Sequence, residues 1–258
     1  MQLYILQVVW GLDMSNLPNP TEFTEHQATF IPVKRSQTGC KRYDLLQMDK
    51  NFKEALTRLE EAPKHKLGNQ LICWSFWNSC PNKDASFKYF GYSKKYDSAT
   101  VHLYNDTGEV QTITIRDANG TKWKTFGSKK FTPYKIRDEV LFLSSGMAEI
   151  IISDLLGLSF IGIQADGMFV HIPKELKELA RDKFIIILSD NDTSFKKKIP
   201  TIQKFFEHSK TIVIDFEKIL NRELPKGYDF RDFVNEVQDA PTVLQMLEDE
   251  IMKGGSNV

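Results

Sequence analysis

Two aspartates separated by a single residue follow a short apolar run. Asp190 and Asp192 close the segment FIIILSDND. On an extended chain the side chains of residues i and i+2 point the same way, so these carboxylates can converge on one hard cation. Proteins hold Mg²⁺ with a few carboxylate oxygens together with water and substrate phosphates. The pattern therefore predicts a Mg²⁺ or Mn²⁺ site of the kind that serves phosphoryl transfer.

The same two residues also have a purely structural interpretation. Asp192 lies just before a helix that is predicted to begin near Ser194. An aspartate there can cap the helix by accepting a hydrogen bond from a backbone amide of the first turn. Taken alone, a D-x-D pattern favours such a cap or turn, but the surrounding elements shift the balance towards a metal site.

From about Asp138 onward, short β-rich runs alternate with helical runs. In chain order these runs are EVLFL, GMAEIIISDLLG, SFIGIQA, KELKELARD, FIIILSD, SFKKKIPTIQKFFEHS, KTIVIDF and DFRDFVNEV. The alternation predicts an α/β domain with a mostly parallel sheet of about four strands and helices on both faces. Because ligands of such sheets bind outside the carboxyl ends of the strands, Asp190 is expected at or just beyond one of those ends.

The preceding part of the chain has a different pattern and is predicted to be a smaller α+β region. A buried strand is expected in the opening MQLYILQVVW and a helix over residues 49–62. Turn residues in VHLYNDTGEVQTITI and RDANGTKW then predict an antiparallel meander of strands. The predicted division is therefore 1–135 and 136–258, and the tail PTVLQMLEDEIMKGGSNV supplies a last amphipathic helix that ends at Gly254-Gly255.

The order of elements and acidic motifs over residues 138–236 resembles the TOPRIM domain of bacterial and phage DNA primases. In that family a strand runs into E-G-x-x-D, a later strand ends in D-x-D, and a terminal motif often has the form K-D-x-N-D-F. The corresponding segments here are S-G-M-A-E at 145–149, D-N-D at 190–192 and G-Y-D-F-R-D-F at 227–233. The resemblance implies a TOPRIM-like, Rossmann-type sheet that binds Mg²⁺ or Mn²⁺ through Asp190 and Asp192, with Glu149 and Asp229 as secondary carboxylates.

One position departs from the family pattern. Ser145 stands where the family has its first glutamate, and a serine neither acts as a general base at neutral pH nor brings charge to a metal. Glu139 is at the opposite end of the predicted strand and does not replace it. Glu149 falls where the family usually has an acidic residue, so Glu149, Asp190 and Asp192 are the expected catalytic carboxylates of a site that lacks its principal acid/base.

Basic residues and an aromatic one follow the second predicted hairpin turn. The candidate nucleic-acid contacts are Lys122, Trp123, Lys124, Lys129, Lys130 and, in the helix after the D-x-D, Lys196. Cations that meet phosphates and rings that stack on bases suit a single strand, whereas a solvated hairpin rim is the alternative. The 34 basic and 34 acidic residues cancel, so any basic surface must be local.

Composition and cysteine usage favour an intracellular globular protein. The 258 residues are 41% hydrophobic and 26% charged, which is enough to bury a sizeable core. Cys40, Cys73 and Cys80 cannot all pair, and their spacing together with His65 does not match a zinc motif, so reduced thiols are expected. No secretory signal or bilayer-spanning run is evident, so a cytoplasmic location without a membrane partner is expected.

The resemblance leads us to expect a primase-related protein that acts in DNA replication of a plasmid, phage or integrated element. The expected partners are single-stranded DNA or nucleotides and a replicative helicase or replication complex. Two alternatives stay open: a Mg²⁺-dependent nuclease, because the same carboxylates can serve water as the nucleophile, and a non-catalytic TOPRIM-fold subunit that binds nucleic acid. Ser145 favours the non-catalytic subunit, whereas the intact D-x-D disfavours it.

Overall fold

The computed structural model describes residues 74–82, 89–93, 98–116, 122–127 and 130–255. The strand predicted in the opening segment and the helix predicted over residues 49–62 lie outside these ranges. So do Lys129, Cys40, Cys73 and His65.

The described residues form an α/β structure with two sheets, as the sequence predicts. The strands are β1 (Phe90–Ser93), β2 (Ser98–Tyr104), β3 (Val110–Arg116), β4 (Lys122–Gly127), β5 (Tyr134–Lys135), β6 (Val140–Ser145), β7 (Phe160–Ile163), β8 (Phe184–Leu188) and β9 (Lys210–Ile214). The α-helices are α1 (Trp74–Ser79), α2 (Met147–Leu155), α3 (Lys174–Leu179), α4 (Thr193–Lys196), α5 (Ile199–Phe205), α6 (Phe216–Leu220), α7 (Phe230–Val237) and α8 (Ala240–Gly255), and a 3₁₀ helix spans Asp166–His171. None of the helices within the described ranges is long and apolar enough to cross a membrane.

The larger sheet has the strand order β5-β7-β6-β8-β9. The strands β7, β6, β8 and β9 run parallel, and the short edge strand β5 pairs antiparallel with β7. The predicted mostly parallel sheet is therefore confirmed. The late helices are confirmed as well, since α7 and α8 follow β9 where the periodicity places them.

Helices cover both faces of this sheet because successive side chains of its central strands point in opposite directions. Val140 and Phe142 of β6 pack into a hydrophobic cluster with α2, α7 and α8. Leu141 and Leu143 of the same strand pack on the other face with the 3₁₀ helix, α3 and α5. A strand that is apolar on both faces is typical of a buried parallel sheet.

Helix α2 packs unusually close to β7. A Cβ atom at Gly162 would lie 2.5 Å from Cγ1 of Ile150 and 3.1 Å from Cγ of Pro133. Any larger residue would therefore push α2 away from the sheet, and with it the residues that α2 carries at its first turn.

The smaller sheet is the predicted antiparallel meander, with the order β1-β2-β3-β4. The turn between β2 and β3 is closed by the Gly108 amide, which donates to the Asn105 carbonyl at 3.0 Å, and by the Glu109 amide, which donates to Asn105 Oδ1 at 2.7 Å. Gly108 has φ +80°, the left-handed conformation that glycine adopts at little cost. The Asn119-Gly120 turn lies outside the described residues, but the strands on either side of it, β3 and β4, pair antiparallel as predicted.

The two sheets share one hydrophobic cluster. Val101 and Leu103 of β2 and Phe76 of α1 belong to the same cluster as the core residues of α2, α7 and α8. Tyr134 of β5 already pairs with Ile161 in the larger sheet, so that sheet begins just before the predicted boundary at residue 135. The division into two regions stays a prediction.

Candidate carboxylate site at the carboxyl edge of the parallel sheet

The crevice between β6 and β8 is where the chain connections change direction. From β6 the chain passes to β7 on one side, and it then crosses to β8 on the other side of β6. Open α/β sheets bind ligands at such a switch point, outside the carboxyl ends of the strands. Because β6 ends at Ser145 and β8 ends at Leu188, Asp190 lies just beyond a carboxyl end, as predicted.

The D-x-D segment is a turn and does not continue the strand. The Asp192 amide donates to the Asp190 carbonyl at 2.8 Å, which closes a three-residue turn. The Asp192 side chain accepts a hydrogen bond from the Ser194 amide and caps α4. The strand that was expected to carry both carboxylates ends at Leu188, before the two aspartates, so their convergence on one cation stays a prediction. A metal-ligand role for Asp192 stays a prediction, and its capping role is the structural alternative that the sequence offered.

Asn191, the middle residue of the motif, joins this turn to the loop that precedes α7. Its amide donates to the Tyr228 carbonyl at 2.7 Å, and the Gly227 amide donates to its carbonyl at 2.7 Å. Its side-chain Nδ2 donates to the Leu224 carbonyl at 2.8 Å and to Glu217 Oε1 at 3.2 Å. These bonds hold the D-x-D turn beside the last acidic motif, which is distant from it in the sequence.

Asp229 is the N-cap residue of α7, and both of its carboxylate oxygens accept hydrogen bonds. Its Oδ1 accepts from the Asp232 amide at 2.9 Å, and Asp232 Oδ2 accepts from the Asp229 amide at 3.3 Å, so the two aspartates form a capping box. Its Oδ2 lies 2.7 Å from Nη2 of Arg231. Asp229 is therefore a helix cap and an ion-pair partner at once.

Glu149 lies in the first turn of α2, and its carboxylate folds back over Gly146. Glu149 is 5% exposed. A Cβ atom added at Gly146 would overlap Oε2 of Glu149, and Gly146 has φ +109°, which L residues rarely adopt. Gly146 caps α2 without any side-chain hydrogen bond, so the glycine leaves space for the carboxylate at the end of β6.

Asp229 and Asp190 both act electrostatically on Glu149, and we refer to the three residues as the carboxylate cluster. Burial raises the pKa of Glu149 well above its ordinary value, and the charges of Asp229 and Asp190 raise it further, while Arg231 opposes the shift. Burial likewise raises the pKa of Asp229, and Arg231 again opposes the shift. Three segments that are far apart in the sequence thus bring an excess of negative charge to the switch point.

The cluster is not a ready-made metal cage. Among the described residues, no group of three or more Asp, Glu, His or Cys side chains is placed to hold one metal ion. The structure brings Asp190 and Asp229 within electrostatic reach of Glu149, whereas Asp192 is engaged at the start of α4. Mg²⁺ needs only one or two protein carboxylates when substrate phosphates and water complete its shell.

The raised pKa of Glu149 predicts how stability depends on pH. Below the ordinary value of 4.5 the carboxyl is protonated in both the folded and the unfolded states. Above it the unfolded chain releases a proton that the folded chain retains, so stability falls as pH rises until the folded pKa is passed, by up to about 1.4 kcal/mol per pH unit for one carboxyl. Glu149→Gln should flatten this fall, which urea unfolding in EDTA at a series of pH values would measure.

Glu178→Gln provides the matched control for this experiment. Glu178 is exposed, and its hydrogen bond from Arg181 lowers the pKa of its carboxyl. The stability that ionised Glu178 contributes is therefore lost only as pH falls into the acid range. Glu178→Gln should leave the pH dependence of stability above pH 4.5 unchanged. Equal slopes for wild type and Glu149→Gln would contradict the burial of an uncompensated carboxyl.

A cavity of about 190 Å³ lies on the β9 side of the D-x-D turn. Its polar lining consists of Ser189, Asn191, Lys196, Asp215 and Glu217, and its apolar lining includes Phe216 and Leu224. The Lys196 ammonium donates to Asn191 Oδ1 at 2.7 Å. Lys196, one of the predicted nucleic-acid contacts, thus lies beside the D-x-D turn.

The other predicted nucleic-acid contacts lie on or after the edge strand of the smaller sheet. Lys122, Trp123 and Lys124 belong to β4, and Lys130 is exposed just before β5. Lys129 lies outside the described residues. A role for these residues in binding nucleic acid stays a prediction.

Two residues at the site were not singled out from the sequence. Arg231 sits inside the G-Y-D-F-R-D-F motif, where it pairs with Asp229, and a cation between two aspartates was a signal that could have been noted. Asn191 was treated only as the spacer of D-x-D. Its role depends on contacts with residues 224–228, which local pattern does not reveal.

No family model matches this chain, and no curated protein matches it either. Solved structures do align with it. The primase fragment of the bacteriophage T7 primase-helicase protein aligns with a TM-score of 0.45 and 12% identity over 63% of this chain and 66% of that chain. An Aquifex aeolicus primase containing zinc-binding and RNA polymerase domains aligns with a TM-score of 0.47 and 12% identity over 78% of this chain and 61% of that chain. This chain therefore spans two thirds or less of the length of those two proteins.

A third alignment is with a bacteriophage T7 assembly. In that structure the lagging-strand DNA polymerase interacts with primase domains bound to an RNA/DNA hybrid and dTTP. The TM-score is 0.43 and the identity is 15%, over 68% of this chain and 87% of that chain.

Proposed function

We propose that this chain is a primase-related, TOPRIM-like protein that binds Mg²⁺ at the carboxylate cluster and engages nucleotide or nucleic-acid phosphates there during DNA replication. The observation that carries the proposal is the convergence of Glu149, Asp190 and Asp229 at the switch point of a parallel sheet. The motif resemblance over residues 138–236 supports the same assignment. A mobile-element origin and a replicative helicase as partner follow from that resemblance and belong to the proposal.

The donor set fits a hard divalent cation. All three groups of the cluster are carboxylates, which are the ligands that Mg²⁺ prefers. Burial, and then the charges of Asp229 and Asp190, raise the pKa of Glu149 in spite of Arg231, so a bound cation would favour the ionised carboxylate. Asp190 and Glu149 would hold the ion, with Asp229 as a further carboxylate and Asp192 at the other end of the turn.

When bound, the ion would offset charge on the attacking and leaving oxygens of a phosphoryl transfer. The residues of this chain position the groups that would meet the ion and the phosphate. Asn191 fixes the turn that carries Asp190, and Lys196 places an ammonium beside that turn, where it can meet a phosphate. The cavity beside the turn is lined by Lys196 and by apolar side chains such as Phe216, but also by the acidic residues Asp215 and Glu217, so only its Lys196 side is suited to a phosphate.

One observation favours a non-catalytic version of this function. Ser145, at the end of β6, offers a hydroxyl where the family has a glutamate. A hydroxyl does not take up a proton at neutral pH, so the site retains means to bind a metal and a phosphate but lacks an evident general base. A TOPRIM-fold subunit that binds nucleic acid without synthesising primers is therefore the second candidate.

Mn²⁺ binding tests the proposal directly. Wild-type protein should bind Mn²⁺ in a calorimetric titration, and Asp190→Asn should abolish that binding because it removes a charged ligand without changing the size of the side chain. Asp182→Asn is the matched control, since Asp182 is exposed, precedes β8 at the opposite edge of the sheet and has φ +64°, which asparagine tolerates. Equal Mn²⁺ affinities for wild type and Asp190→Asn would refute the assignment.

A further inference from the structure

Arg231 places a guanidinium among the acidic residues of the site. Its Nη2 lies 2.7 Å from Asp229 Oδ2 and 3.6 Å from Asp232 Oδ1. The Arg231 side chain is 25% exposed and the Asp229 side chain is 15% exposed. Water screens the pair only weakly at this burial, so the arginine is a strong local positive charge.

The same guanidinium acts on the carboxylate cluster beyond its direct partner. Its positive charge opposes the rise that burial causes in the pKa of Glu149, which lies on α2 near the end of β6. Asp190 is the second carboxylate, after Asp229, whose charge Glu149 experiences. Arg231 is therefore a cation that partly neutralises acids contributed by two segments, Asp229 and Asp232 at the start of α7 and Glu149 on α2.

The pairing also determines which oxygens of Asp229 are available. Oδ1 accepts from the Asp232 amide in the capping box, and Oδ2 faces Nη2 of Arg231. A divalent ion that approaches Oδ2 meets the guanidinium at close range, and the two positive charges repel. Asp229 can therefore coordinate a divalent ion through Oδ2 only after the Arg231 side chain has moved.

We infer that Arg231 is the resident counter-ion of the carboxylate cluster and that a divalent cation has to displace its guanidinium in order to gain Asp229 as a ligand. The inference rests on the proposed function for its second half, the competition with the metal. Its first half, the neutralisation of the cluster, stands without any metal. Arg231 thereby acts as a positioning residue that sets the affinity of the carboxylate cluster for a divalent ion.

The competition predicts that removing the charge strengthens metal binding. In a Mn²⁺ titration by calorimetry, Arg231→Gln should bind roughly tenfold tighter than wild type or better, because an adjacent guanidinium alters the cation affinity of a carboxylate by about 10- to 1,000-fold in the case of protons. Arg231→Lys keeps the charge and should stay close to wild type. Arg231→Met, which keeps the apolar stem, is the second variant that lacks the charge.

Arg222→Gln is the matched control for the titration. Arg222 pairs with Glu236 at 2.6 Å in an exposed ion pair, and its substitution should leave Mn²⁺ affinity unchanged. If wild type binds Mn²⁺ and the two variants without the charge bind it no more tightly, the inference is overturned while the proposed function stands.

Thermal unfolding in EDTA tests the counter-ion role without metal. Arg231→Gln should lower the melting temperature, and adding Glu149→Gln in the same chain should restore most of the loss, because the carboxyl that needed the cation is gone. Arg222→Gln should show no such rescue by Glu149→Gln. A melting temperature unaffected by Arg231→Gln, or a loss that Glu149→Gln does not reduce, overturns the inference. If no variant binds Mn²⁺ but the rescue is seen, the proposed function fails and the counter-ion assignment holds.

Discussion

Replacing Ser145 with glutamate is expected to raise Mg²⁺-dependent primer synthesis by roughly 10²–10⁴-fold, the contribution that general acid–base catalysis typically makes. Ser145 is the last residue of β6 and directly precedes Gly146, at the switch point beyond which Asp190 lies. A carboxylate there would supply the proton acceptor that the wild-type site lacks. The measurement is primer synthesis on a single-stranded template with Mg²⁺, in which wild-type protein should show little product.

Two variants separate the effect of charge from that of size. Ser145→Gln introduces a side chain of similar length that neither takes up a proton nor brings charge to a metal, so it should stay at the wild-type level. Adding Asp190→Asn to Ser145→Glu should return the activity to that level, because the gain depends on the metal site.

Other outcomes would select another function. Robust wild-type synthesis that is lost in Asp190→Asn but indifferent to changes at Ser145 would show that another group acts as the base, and the non-catalytic candidate would fall. Absence of synthesis in every form, with single-strand binding that Lys124→Ala weakens, would favour the binding subunit. Strand cleavage in place of synthesis would favour the nuclease.

The larger sheet could be predicted from sequence because its signal is local and repeated. Each central strand is a run such as FIIIL that is apolar on both faces, and such a run needs helices on both sides of the sheet. The meander was predictable for the same reason, since Asn105 and Gly108 are turn residues between two β-rich segments. In both cases the residues that determine the structure lie within a few positions of each other.

The position of the D-x-D turn beside the last acidic motif could not be predicted in this way. It depends on the bonds of Asn191 to the Gly227–Tyr228 backbone and to Leu224, which are distant in the sequence. The pairing of Arg231 with Asp229 depends on the capping geometry at the start of α7. Sequence thus predicted which segment ends carry the acids, whereas long-range contacts decide which of these acids face each other.

Gly146→Ala is expected to destabilise the protein by roughly 2–5 kcal/mol, since it combines a strained backbone with displacement of a buried carboxylate. Gly146 has φ +109°, and an added Cβ would overlap Oε2 of Glu149. Urea unfolding at pH 7 in EDTA would measure the loss. Gly108→Ala is the matched control, because Gly108 has φ +80° with nothing within 4 Å of an added Cβ and should show only the backbone cost, about 1–2 kcal/mol.

A double-mutant cycle with Glu149→Ala then tests where the Glu149 carboxylate lies. If that carboxylate occupies the space above Gly146, its removal should reduce the cost of Gly146→Ala to about the 1–2 kcal/mol of backbone strain, a coupling that distant pairs do not show. Pairing Glu149→Ala with Gly108→Ala should give additive losses, because Gly108 lies in the turn between β2 and β3, where an added Cβ meets nothing within 4 Å, and Glu149 lies on α2. Additive losses for Gly146→Ala and Glu149→Ala would instead place the carboxylate away from the end of β6, and the carboxylate cluster would lose its member from α2.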